Sequence, residues 1–250
     1  MLTKIIKVEV KKMSEIFNLE TKTLWSFKER GEWGTHKGDY PGNWSPFVPK
    51  NIILRYSKEN DLILDQFLGS GTTLIEAKLL NRRGIGCDVN PIALDLSKNR
   101  IEGVKGSNSI QLVKGNAKNL NFIKNESIDL ICTHPPYSNI VKYSKDINED
   151  ISLLNIDDFY ESMRAVSKEA FRVLKKGKYC AVMMGDIRRN SCVIPLGFNV
   201  MNLFLNQGFR LKEIIIKEQH NCSSTKYWEK ISLEKNFYLL AHEYLFIFFK

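Results

Sequence analysis

The chain has 250 residues, 43% apolar and 26% charged, with a formal charge of +9. That length suits one domain with a self-sufficient core, and the excess of cations favours a polyanionic partner. The composition is ordinary for a soluble globular protein, and no apolar run approaches the roughly 20 residues of a transmembrane helix.

Residues 1–12, MLTKIIKVEVKK, carry lysines but neither a long apolar region nor a small-residue cleavage site. No secretory signal is expected, and the cytoplasm is the expected location. Met13 is a candidate alternative start. The text then becomes LWSFKERGEWGTHKGDYPGNWSPFVP, rich in Trp, Gly, Pro and charge but without periodicity. Residues 1–50 therefore read as a partly ordered N-terminal arm.

From residue 51 strands and helices alternate. DLILDQF (61–67) is a strand, TTLIEAKLLNRR (72–83) a helix, GIGCDV (84–89) a strand, and Pro91 suits the first turn of the helix PIALDLSKNRI. SIQLVKG (109–115) and SIDLICT (127–133) are strands, and IDDFYESMRAVSKEAFRVLKK (156–176) is a helix. KYCAVMMGD (178–186) is a strand, IPLGFNVMNLFLNQ (194–207) a helix, and FRLKEIIIKE (209–218) and EYLFIFFK (243–250) close the chain as strands. This alternation predicts a mostly parallel α/β sheet. The last two strands have no long helix between them, so the final one is expected to be antiparallel.

Five cysteines (Cys87, Cys132, Cys180, Cys192, Cys222) form no CxxC pair, and three of them sit in apolar runs as small buried thiols would. His220 and Cys222 lack a second pair of ligands, so no metal is expected.

DQFLGSGTT (65–73) stands at the end of a strand and opens a helix, where an open α/β sheet holds its ligand. Thr72 and Thr73 replace the Lys and Ser or Thr of a nucleoside-triphosphate loop, and Leu74 replaces the third glycine of a dinucleotide fingerprint. Asp88 ends the next strand, where an acid can hydrogen-bond a ribose hydroxyl pair. A ligand bearing a nucleoside, without a phosphate clamp, fits this pattern; a tight turn beside a solvated Asp is the bland alternative.

ICTHPPYSNI (131–140) ends a strand on two prolines. They cannot extend a sheet ladder, so their carbonyls face something other than a neighbouring strand. An exocyclic base amine is a poor nucleophile, because its lone pair is conjugated with the ring. Acceptors at its two N–H groups favour a pyramidal nitrogen and aim the lone pair. His134 and the Pro135 carbonyl suit that work, with Tyr137 stacked on the base. A rigid turn with a structural His and Tyr suits the residues equally.

DQFLGSGTT, GIGCDVNP and THPPY, in this order and spacing, resemble the amino-directed DNA methyltransferases that use S-adenosylmethionine and modify adenine N6 or cytosine N4. The resemblance covers about residues 44–250. It implies a Rossmann-like methyltransferase fold, α/β, with a mostly parallel seven-stranded sheet and a reversed last strand. It implies that Asp65, Phe67, Gly69, Gly71 and Thr72 surround the methionine moiety, that Asp88 holds the ribose, and that Asn116 lies near the adenine. NWSPFVPKN (43–51), with Pro46, resembles a further segment that touches methionine. His134, Pro135, Pro136 and Tyr137 are the implied catalytic motif, and double-stranded DNA with a flipped target base is the implied substrate, adenine N6 ahead of cytosine N4. RNA guanine-N2 and protein glutamine methyltransferases carry related motifs, and a regulatory subunit without turnover is a third reading.

Departures from the family pattern stand out. The family's usual first residue in the PPY motif is Asp, Asn or Ser, whereas here it is His134, which accepts a hydrogen bond only when neutral. Asn116 replaces the usual acid. Larger members also carry a separate target-recognition domain, and none is expected within residues 51–250. Recognition then falls to the arm, to residues 138–155 and 217–237, or to a partner chain or second copy. ERGEWGTHKGDYPGNW and QHNCSSTKYW mix aromatics with cations, as surfaces touching phosphates and bases do. They offer Trp33, His36, Lys37, Tyr40, Trp44, His220, Lys226 and Trp228 as nucleic-acid contacts, although such aromatics also plug cores.

Overall fold

The computed structural model describes residues 17–221 and 225–250, so Met13, the lysine-rich start and Cys222 lie outside the described residues. The elements are β1 Leu24–Ser26, α1 Phe47–Tyr56, β2 Leu62–Asp65, α2 Thr72–Leu79, β3 Arg83–Asp88, α3 Pro91–Glu102, β4 Ile110–Lys114 and β5 Ile128–Thr133. They continue as α4 Ile156–Val173, β6 Leu174–Met184, β7 Ile187–Arg189, β8 Cys192–Ile194, α5 Leu196–Asn206, β9 Arg210–Glu218, α6 Thr225–Glu234 and β10 His242–Phe249. Two 3-10 turns, Ser138–Ile140 and Ile151–Leu153, shape the loop after β5.

The main sheet runs β1-β9-β10-β6-β5-β2-β3-β4, and β7 and β8 form a separate hairpin. All seven expected strands are in it, and β10 is antiparallel to both neighbours while β2 to β6 pair in parallel. Central β5 is buried at every position, because helices cover both faces of the sheet. Strand alternation divides the core accordingly. Leu64, Ile131, Val182 and Phe246 meet α4 and α5 on one face, whereas Ile63, Leu130, Ala181 and Leu245 meet α1 and α2 on the other. No helix of the described residues is long and apolar enough to cross a membrane.

The arm differs from its expectation. Leu24–Ser26 pairs with β9 in parallel and adds an eighth strand, with Trp25 buried as its anchor. A boundary at residue 50 would cut α1, whose Val48, Ile52 and Ile53 are wholly buried in the core. Pro49 is tolerated there because it stands in the first helical turn, where the N–H has no intrahelical acceptor. The described part of the arm is thus built into the same fold as the rest of the chain.

The order of the sheet makes a switch point at β2. Its neighbours β3 and β5 lie on opposite sides, so the connections leaving their carboxyl ends part and open a crevice.

Candidate active site

One wall of the crevice is the turn from β2 into α2. Gly69 (φ 51°) and Gly71 (φ 83°) take left-handed backbone, which the turn requires. Gly71 also sits so near α3 that an added Cβ would lie 3.0 Å from Ser97 Cβ. Asp88 ends β3 and holds this turn: Oδ2 accepts the Gly69 N–H at 2.9 Å, and Oδ1 accepts the Asn90 N–H at 2.9 Å. Asp65 is buried at the end of β2 and accepts from Thr133 Oγ1 at 2.8 Å and the Phe67 N–H at 3.1 Å, which ties β2 to the end of β5. Burial pushes its carboxyl up to about 7, with a further push from Asp88.

These turns, with Asn116 beyond β4, border a cleft of about 810 Å³ whose other walls include Tyr40–Trp44 of the arm, His134 and Pro136, and Tyr143 with Glu149–Ile151 of the loop after β5. Gln66 lines the cleft, is 1% exposed, and leaves both amide atoms without a hydrogen-bond partner among the described residues. Buried amide atoms of that kind ordinarily have partners. Two strand-end carboxylates and an orphaned amide are a donor and acceptor set that suits a cationic amino acid joined to a nucleoside.

The second wall is the hinge. His134 Nε2 lies 2.7 Å from Tyr137 Oη, and the Tyr137 hydroxyl donates to Glu243 Oε1 at 2.7 Å. Lys217 Nζ donates to the other oxygen, Oε2, at 3.0 Å. Burial lowers His134 to about 4, so its ring is neutral at pH 7. Burial works to raise the Glu243 carboxyl, but His134, which is charged only in the acid range where Glu243 titrates, together with Lys217 and the hydroxyl of Tyr137 outweighs it and keeps it low. Trp44 stacks on the His134 ring with centroids 5.3 Å apart. The Pro135 carbonyl accepts no hydrogen bond from the described residues. Ser138 then turns the chain back at φ 50°, held by its hydroxyl on the Leu154 carbonyl at 3.0 Å.

A second cavity opens on the far side of the hinge. Its walls include Pro135, Tyr137, Lys28, Arg30, Lys217 and His220, and it shares His134, Pro136, Trp44 and Tyr143 with the first. His134 and Pro136 therefore stand where two cavities meet.

Of the residues expected around a cofactor, Asp65, Phe67, Gly69, Thr72, Asp88 and Asn116 line the first cleft. Pro46 and Gly71 are absent from its wall: Pro46 is buried as the N-cap of α1, and Gly71 shapes the turn. The surface residues divide more sharply. Trp33 and His36 turn inward, where the indole N–H and the imidazole both meet Glu76 Oε1, at 2.5 and 2.7 Å. His36 is buried and Trp33 half-buried, and both polar groups are committed to a fully buried carboxylate. Tyr40 and Trp44 line the cleft instead of the outer surface. His220 lines the second cavity and meets Ser26 Oγ at 2.9 Å, whereas Lys37, Lys226 and Trp228 are exposed.

Sequence reasoning missed Gln66, Tyr143, Lys217 and Glu243. An acid inside the apolar strand HEYLFIFF was the available signal for Glu243, since a buried carboxylate needs partners. Gln66 was passed over between two residues of a recognised motif, and the other two are reached through tertiary contact alone.

A profile of the N6/N4 DNA methylase family matches residues 3–99 and 128–250. The Type II methyltransferase M2.LlaDCHI of Lactococcus lactis subsp. cremoris is 38% identical over 85 residues, 33% of this chain and 30% of that protein. A tRNA (guanine(10)-N2)-dimethyltransferase of Methanothermobacter thermautotrophicus is 32% identical over 99 residues, 39% of this chain and 29% of that protein. The aligned stretches span about a third of each relative's length. The crystal structure of TrmN from Thermus thermophilus shares the fold with a TM-score of 0.57 at 16% identity, over 84% of this chain and 50% of that chain.

Proposed function

The chain belongs to the N6/N4 DNA methylase family, and from that premise we propose that it is an S-adenosylmethionine-dependent enzyme that methylates an exocyclic base amine in DNA. The observation that carries this reading is the meeting of two cavities at His134 and Pro136. One suits the cofactor, and the other, bordered by cations, suits a base flipped from the duplex. Adenine N6 is the first target and cytosine N4 the second. The cytoplasm is the compartment this reading implies, and a second copy or partner chain remains a source of sequence recognition.

Asp65, Gln66, Phe67, Asp88 and Asn116 would hold S-adenosylmethionine, with Asp88 on the ribose and Asp65 near the cationic end. Bound there, it supplies an electrophilic methyl carbon. Everything else falls to the chain. The neutral His134 ring and the Pro135 carbonyl accept the two N–H groups of the target amine and aim its lone pair across the hinge. With a pKa of about 4, His134 is too weak a base to remove an amine proton in advance, so its contribution is acceptance and orientation. Pro136 fixes the backbone of this acceptor. Tyr137 cannot swing freely, because its hydroxyl is held by Glu243; its ring forms the floor under the base.

The similarity to a tRNA guanine-N2 enzyme favours a second reading, since that substrate also presents an exocyclic amine. Incubation with methyl-labelled S-adenosylmethionine and equal amounts of DNA, tRNA and protein separates them. Label in DNA as N6-methyladenine or N4-methylcytosine is the expected result. Label confined to tRNA or to protein overturns the proposal.

A further inference from the structure

The hinge has a direction of hydrogen bonding that its pairwise distances do not state. Lys217 is an ammonium, so it can donate only, and it takes one oxygen of Glu243. The ionised carboxylate accepts only, so its other oxygen takes the single proton of the Tyr137 hydroxyl. With that proton spent, Tyr137 Oη meets His134 Nε2 as an acceptor, and Nε2 must carry the ring proton. Nδ1 is then the bare nitrogen. Among the described residues the ring's hydrogen bond runs through Nε2, and the ring borders both cavities.

We infer that Glu243 and Lys217, brought from β10 and β9, are a positioning pair that sets the tautomer of His134 and so presents Nδ1 as the acceptor for the target amine. The inference rests on the proposed amine-methylating function. An Asp or Asn at position 134 would have an acceptor oxygen in any state. An imidazole has one only in the correct tautomer, and this chain supplies the group that selects it. The pair also holds the Tyr137 ring, whose edge packs so near Gly185 that an added Cβ there would lie 2.8 Å from Cε2.

Glu243→Gln reverses the chain of donors. Lys217 claims the amide oxygen, so the amide NH2 turns to Tyr137 Oη. The tyrosine then donates to Nε2, and the ring proton moves to Nδ1. Lys217→Met added to that variant frees the amide oxygen for Tyr137 and restores the first order. Nitrogen-15 NMR of the imidazoles reads this without any turnover, with His134 assigned by its absence from the His134→Asn spectrum. The expected result is Nε2–H in the wild-type protein, Nδ1–H in Glu243→Gln and Nε2–H again in the double variant. Methylation should fall about tenfold or more in Glu243→Gln at unchanged cofactor affinity, recover in the double variant, and be insensitive to Glu243→Gln in a His134→Asn background. A proton on Nδ1 in the wild-type protein overturns the inference, and this holds even if neither Glu243 variant folds. An unchanged tautomer in Glu243→Gln overturns it too. The expected tautomers without methylation of any nucleic acid would leave the positioning intact and reject the function.

Discussion

Asp65 is buried at the switch point with its carboxyl pushed up to about 7, so near neutrality it holds a proton that an unfolded Asp, at about 3.9, has released. The sign follows from linkage: the folded state binds more protons between about 4 and 7, so this group's contribution to stability is full below that range and is lost as pH rises through it. A cationic ligand has the opposite preference and favours the carboxylate. Binding of S-adenosylmethionine at pH 6 is therefore expected to release about one proton, seen as a calorimetric enthalpy that varies with the ionisation enthalpy of the buffer. Affinity should rise with pH up to about 7, and Asp65→Asn should remove both effects. Binding without proton release would place the cationic end of the cofactor elsewhere. The motif around Asp65 was legible because its glycines and strand end are local features. The state of its proton was not, since its burial depends on tertiary contacts such as that with Thr133 at the end of β5.

At the scale of elements, the hinge and the arm rest on close contacts made across the sheet. Gly185, just after β6, has Tyr137 against it, with three ring atoms within 3.4 Å of where a Cβ would stand. Gly185→Ala is expected to shift that ring and reduce methylation by about a hundredfold, as displacements of about 1 Å do, while the melting temperature stays within a few degrees. Near-normal turnover would mean the ring position is not critical. The arm is pinned to α2 through Glu76, which accepts from Trp33 and His36 in a fully buried site. Glu76→Ala leaves buried His36 and half-buried Trp33 without an acceptor, which costs about 1–3 kcal/mol. Because residues 40–44 wall the cleft, limited proteolysis should then cut the arm and cofactor affinity should fall; an unchanged digestion pattern would contradict this anchoring. Strands such as IDLICT were readable from their apolar runs. The three-residue β1 was not, since pairing with β9 rather than propensity makes it a strand. Nor was α1, whose start reads as loop because of two prolines, although Pro46 stands at the N-cap position and Pro49 in the first turn.

Over the whole molecule, the sheet order carries the functional argument. The switch point brings residues 65–71 and 133–137 together, and β9 and β10 deliver Lys217 and Glu243 behind the hinge from 80 or more positions further along the chain. Order along the chain revealed the first pair of motifs, and the reversed last strand was legible from the missing long crossover. The polar network behind the hinge was not, because no local pattern links Tyr137 to Glu243, 106 residues apart. The account's central claim is that this hinge holds an exocyclic amine through His134 while the methyl is transferred. Its most direct test is single-turnover methylation of DNA by wild-type and His134→Ala enzymes, at saturating cofactor, with products resolved by nucleoside mass spectrometry. The expected product carries methyl on adenine N6 or cytosine N4, formed about 10²–10³ times more slowly by His134→Ala, as when one oriented polar group is removed. Methyl on a ring carbon or ring nitrogen, or a His134→Ala rate close to wild type, would contradict it.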